Sequence, residues 1–126
     1  MAVSNFFAMI EQRITPYGIL DFYKKFVIFN LTCDLLDKEI AKELLAITDS
    51  FFGQEQYVFI SYRSFFTNID PEAYSVINPK KLAGVAIVSD LEIVKHLSIS
   101  EQRLYSGSFS FFRTIEDAMI WAETVV

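Results

Sequence analysis

The chain has 126 residues, 52% of them apolar and 16% aromatic with 13 Phe, and a net charge of −5. That length fits a single domain able to bury a core without disulfide or metal staples. Sixteen acidic against eleven basic residues argue against nucleic acid, whose phosphates require clustered Lys and Arg. The longest apolar runs, such as Phe26-Val-Ile-Phe29, are strand-sized and far short of the roughly 20 residues of a spanning helix.

One cysteine, Cys33, forms no internal disulfide, and the first residues lack a charged stretch followed by an apolar one, so a reducing, cytoplasmic setting is expected. Residues 1–16 hold Phe6, Phe7, Met9 and Ile10 without clean periodicity and end at Pro16. Either a short helix packed on the body or an extended arm used in self-association fits them. The runs Gly18–Tyr23 and Lys25–Leu31, β-branched and aromatic around a Lys-Lys turn, predict an antiparallel hairpin. Asp34 is the expected N-cap of the next helix, whose stripe is Leu36, Ile40, Leu44, Ile47, Thr48 and Phe51, with Gly53 at its end.

Tyr57–Ile60 is a continuous apolar strand of the kind covered on both faces. Asp70-Pro71 supplies an N-cap and an N1 proline for a short helix through Ile77, stopped by Pro79. Leu82–Val88 is a second buried strand, and its Ala83, Gly84 and Ala86 leave room for a helix to approach. Ser89-Asp90 opens a further helix running to Leu97 or beyond, and Phe109–Phe112 is a short aromatic strand. Thr114-Ile-Glu-Asp117 matches the capping signature of a last helix bearing Ile115, Ala118, Met119 and Ala122. Alternating strands and helices imply right-handed crossovers and parallel pairing. The expected fold class is α/β: one domain with a mixed, mainly parallel sheet, an antiparallel N-terminal hairpin and about four helices.

The residues from Ala83 to Asp90 and from Phe112 to Trp121, with Tyr57–Arg63 followed by Asp70-Pro71, resemble the SpoIIAA-like family, the STAS/SEC14 domain group. The resemblance runs over about residues 18–124 in the order just derived. It implies two functions. STAS domains are regulatory protein-interaction modules, anti-sigma factor antagonists switched at a serine in a tight Asp-Ser turn. The corresponding stretch here, Ser61 to Pro71, lacks that motif, although Ser64 and Thr67 lie near its place. SEC14-type relatives hold lipids between a sheet and mobile helices.

Enzymatic and cofactor signatures are absent. Gly18, Gly53, Gly84 and Gly107 are too scattered for a dinucleotide or P-loop fingerprint. His96 is the only histidine, so neither a zinc site nor a Cys33–His96 nucleophile pair is expected. What a plain fold does not require is the aromatic surplus near the ends of strands: Tyr62, Phe65, Phe66 and Tyr74 around one loop, and Tyr105 and Phe109 before the last helix. Ligands of open α/β sheets bind at that rim. These six are the candidate binding residues for a small apolar or lipid-like molecule, with peripheral membrane contact as a corollary. A regulatory protein partner and a homodimer are the remaining expected associations; no cofactor, metal or catalytic residue is expected.

Overall fold

The computed structural model describes residues 7–126. Along them run β1 (Glu11–Thr15), β2 (Gly18–Phe22), β3 (Phe26–Leu31), β4 (Leu35–Leu36), α1 (Lys38–Phe52), β5 (Tyr57–Tyr62) and β6 (Asn68–Ile69). A 3-10 helix (Pro71–Val76), β7 (Leu82–Val88), α2 (Glu92–Gln102), β8 (Ser108–Phe112) and α3 (Ile115–Val125) complete them. The main sheet has the order β1-β2-β3-β5-β7-β8. β1, β2 and β3 form an antiparallel meander; β3, β5, β7 and β8 pair in parallel. The mixed α/β class with its N-terminal hairpin is thus the observed one.

Three local expectations need correction. Residues 11–15 are not a helix but an extended edge strand paired with β2; the part of the expected arm before Phe7 lies outside the described residues. Asp34 is not the cap of α1. Leu35–Leu36 are drawn off to pair with Asn68–Ile69, so the helix starts later and Asp37 caps it, its Oδ1 accepting from the Ile40 amide at 2.9 Å. The short helix after Asp70-Pro71 is present as a 3-10 helix, with Asp70 Oδ1 accepting from the Glu72 amide at 3.0 Å. Ser89-Asp90 does not open α2: the Ser89 hydroxyl donates to the Arg63 carbonyl at 2.6 Å and accepts from the Leu91 amide, and the helix begins after Leu91. At the last helix the capping signature holds, with Thr114 Oγ1 accepting from the Asp117 amide.

Both faces of the central strands are covered, which is why those strands read as unbroken apolar runs. On one face Leu20, Phe22, Phe29, Val85 and Ile87 pack with α1 residues such as Leu44 and with Val94 of α2. On the other, Phe26, Ile28, Ile60 and Val88 pack with Ala118, Met119 and Ala122 of α3. Gly84 permits that approach: a Cβ there would stand 3.1 Å from Val125 Cγ1 and 3.3 Å from Trp121 Cη2.

Buried phenols pin the core from inside. The Tyr57 ring stacks on Phe52 at 4.3 Å, and its hydroxyl bonds Thr48 Oγ1 and Asp49 Oδ1, each at 2.7 Å. Tyr105 donates to the Leu82 carbonyl at 2.7 Å. Burial raises the Tyr57 pKa and pushes that of Tyr105 up to about 12. A phenol held neutral in the native state keeps its proton when the unfolded chain, titrating near 10, has lost it. Its contribution is whole below about pH 10 and is lost as pH rises through the native value. The melting temperature should therefore fall steeply between about pH 10 and about pH 12. Tyr105→Phe, less stable at neutral pH, should show a shallower alkaline decline; equal slopes in melts across this range would refute the assignment.

Candidate functional site

The chain leaves β5 at Tyr62, yet Arg63 continues the ladder for one more residue. Its amide donates to the Val88 carbonyl at 2.9 Å, and its carbonyl accepts from Ser89. This fixes the Arg63 side chain under the helices at the carboxyl end of the parallel strands. There Nη1 and Nη2 donate to Glu101 Oε2 and Oε1 at 2.7 and 2.8 Å, and Nε donates to Ser61 Oγ at 3.1 Å. The Tyr74 hydroxyl donates to Glu101 Oε1 at 2.6 Å. The network joins β5, the 3-10 helix and α2 through a planar, two-pronged ion pair whose partners are each 5% exposed.

Burial alone would lower the Arg63 pKa, but the hydrogen bonds and negative charge of Glu101 outweigh it and hold the pKa above its ordinary value. Burial, and next the Glu101 charge, raise the Tyr74 phenol well above its ordinary range. The guanidinium is thus charged and the phenol neutral, the states that this bonding pattern requires.

Two spaces flank the pair. Beneath the 3-10 helix lies a cavity of about 70 Å³ between the sheet and α1. Leu44, Phe59, Ala73, Ile77 and Ile87 give it an apolar lining; Ser61, Arg63 and Tyr74 form a polar wall. Outside, between the loop after β5 and α2, runs a groove of about 320 Å³. Phe66, Ile69 and Pro71 form one bank and Ile93, Leu97 and Leu104 the other, with Glu101 among its lining residues. Arg63 and Tyr74 line the inner space and Glu101 the outer one, so the ion pair lies between them.

The six aromatic candidates do not converge on one space. Phe66, 51% exposed, lines the groove, and Tyr74 lines the cavity. Phe65 and Phe109 pack against the core on the α1 face, whereas Tyr62 packs on the opposite face with α3. Tyr105 is buried against Leu82, at the start of β7 rather than at the rim. Of the hydroxyls near the switch position, Ser64 is exposed, but Thr67 is buried and donates to the Cys33 carbonyl at 2.8 Å. Burial raises the Cys33 thiol, and His96 is exposed on α2. Among the described residues no group of three or more His, Cys, Asp or Glu is placed to hold a metal ion.

The aromatic count did not reveal Arg63, Ser61 and Glu101. One signal was available: Val94, Ser98 and Glu101 recur at helical spacing and are all buried on α2, so a carboxylate occupies a core position. A charge there requires a partner.

A crystal structure of an uncharacterized protein from the DUF3478 family of Shewanella loihica PV-4, described as having a SpoIIAA-like fold, is similar to this chain. The TM-score is 0.58 at 15% identity, over 92% of this chain and 93% of that one. The chain has a SpoIIAA-like fold. No family model matches the sequence, and no curated protein matches it. Among the described residues no helix is long and apolar enough to cross a membrane.

Proposed function

We propose that the protein is a non-catalytic domain that binds a small apolar or lipid-like ligand in the groove between the loop after β5 and α2. The observation carrying this reading is the cluster of large apolar side chains left in water on both banks: Phe66 and Ile93 at 51% exposed, with Leu97 and Leu104. Covering such surface yields about 25 cal/mol per Å², and the groove is within the size range of small-molecule sites. The inner cavity alone, at about 70 Å³, holds little more than a few waters. The Arg63–Glu101 pair lies between the two spaces and acts in this reading as the inner stop of the groove. The same exposed bank is the surface for peripheral contact with a bilayer.

Titration with a fluorescent fatty acid tests the reading. Binding is expected in the wild type, and Phe66→Asp with Leu97→Asp should weaken it about a hundredfold, since two charges must be desolvated on the banks. Sedimentation with neutral phosphatidylcholine vesicles should lose its bound fraction in the same variant. Failure of the wild type to bind the probe, or equal binding by the variant, would remove the groove as the site.

A second reading is a STAS-type regulatory module that binds a protein partner. Its support is the placement of Ser64, exposed at the head of the loop that carries Phe66. A partner retained by the wild type and lost with Ser64→Glu, while probe binding persists, would favour it.

A further inference from the structure

The sheet has an open margin at β1, where the side away from β2 pairs with no other strand among the described residues. The two-residue turn Pro16-Tyr17 makes Thr15 and Gly18 a directly hydrogen-bonded pair, and the register then alternates. Arg13 and Glu11 bond toward β2, opposite Leu20 and Phe22, so the amides of Gln12 and Ile14 point outward. The strand carries Ile14 at 81% and, just before it, Ile10 at 60% exposed. Edge strands are commonly guarded by like charges or proline. Here the central residues read Glu11-Gln12-Arg13, one charge of each sign around a neutral centre.

We propose that a second copy of this chain docks on the open edge of β1 in antiparallel register, with Gln12 facing Gln12 on the twofold axis. That register satisfies two independent conditions. The outward-pointing amides of Gln12 meet as a hydrogen-bonded pair. Glu11 of each copy lies opposite Arg13 of the other, at the non-hydrogen-bonded positions where cross-strand side chains come closest. Ile10 stands outside that pairing, because its amide donates inward to the Phe22 carbonyl at 2.8 Å. The intramolecular Glu11–Arg13 pair, with Arg13 over the Phe22 ring at 5.7 Å, holds both charges at the edge in advance. Shifting the register by one residue toward the turn sets Arg13 against Arg13, so charge selects between the alternatives. The opposite margin, Ser108-Phe-Ser-Phe-Phe112, bears no charge and offers no such selection. A five-residue edge buries less than the roughly 1,200 Å² of a standard interface, so the dimer is weak and reversible.

Sedimentation velocity up to the millimolar range should show a monomer–dimer equilibrium. Glu11→Arg or Arg13→Glu alone places like charges opposite each other twice per dimer and should weaken association about tenfold. The double exchange Glu11→Arg/Arg13→Glu restores complementarity and should recover it. Gln12→Cys in a Cys33→Ser background should form an intermolecular disulfide on mild oxidation, because a directly bonded antiparallel pair has Cα atoms about 5.5 Å apart, within disulfide range. Glu55→Cys, at an exposed position elsewhere, is the control. Monomer at every concentration, a double exchange as weak as the single ones, or cross-linking no faster than the control would each overturn the proposal.

Discussion

Arg63→Met is expected to destabilise the protein by about 3–5 kcal/mol, because it leaves the Glu101 carboxylate buried without its counter-charge. Glu101→Leu should cost about as much, stranding the guanidinium instead. The double variant Arg63→Met/Glu101→Leu should recover most of the loss, since two apolar side chains of similar size replace two charges that no longer need desolvation. A residue of about 1–2 kcal/mol should remain, from the Tyr74 hydroxyl deprived of its acceptor, and adding Tyr74→Phe should remove it. Urea denaturation of the four proteins closes the cycle. Strict additivity of the two single losses would show that the charges are not coupled, against the geometry. The variants also report on function. If the ion pair is the inner stop of the groove, a ligand that passes it must break it. The double variant lacks that cost and should bind the fatty-acid probe more tightly than the wild type.

The order of strands and helices was legible because central strands and helix stripes announce themselves by apolar spacing alone. What escaped was decided by pairing between distant segments. Leu36 fits the stripe of α1 by spacing, but its backbone pairs with Ile69, thirty-odd residues away, and Asp37 inherits the capping role from Asp34. Residues 11–15 have one apolar residue among five and become a strand only because β2 offers an edge. Neither outcome can be read from a local window.

The site was less legible than the fold, for a related reason. Aromatic residues are conspicuous, and at a sheet rim they suggest a pocket, yet Tyr62, Phe65, Tyr105 and Phe109 are absorbed by the two sides of the core and by the Leu82 carbonyl. Phe66 and Tyr74 alone of the six line the groove and the cavity. The polar centre is assembled from Ser61, Arg63, Tyr74 and Glu101, spread over three elements, and none of these is unusual in its own segment. Only the crossover that brings α2 beside the end of β5 makes them a unit.

Gly18→Ala should destabilise the protein by about 3 kcal/mol or more, whereas Gly53→Ala should cost only about 1 kcal/mol. Both glycines have positive φ, +152° at Gly18 and +60° at Gly53, so both substitutions impose backbone strain. They differ in what a Cβ would meet. At Gly53, just past α1, nothing lies within 4 Å. At Gly18 the new atom would stand 2.3 Å from the Asn30 carbonyl oxygen and 2.6 Å from Phe29 Cε1. The first is backbone of the neighbouring strand, and the second belongs to a ring wholly enclosed in the core, so neither has room to give. Relief requires β2 to draw away from β3 at Gly18, against the side-chain bonds from Asn30 to the Ile19 carbonyl and Asp21. The loss should therefore appear first in the meander. Hydrogen exchange in Gly18→Ala is expected to rise in β1 and β2 well before it rises in β5 and β7, which are paired on both sides within the parallel core. Uniform acceleration through all six strands would instead mean that the wing and the parallel core unfold as one cooperative unit.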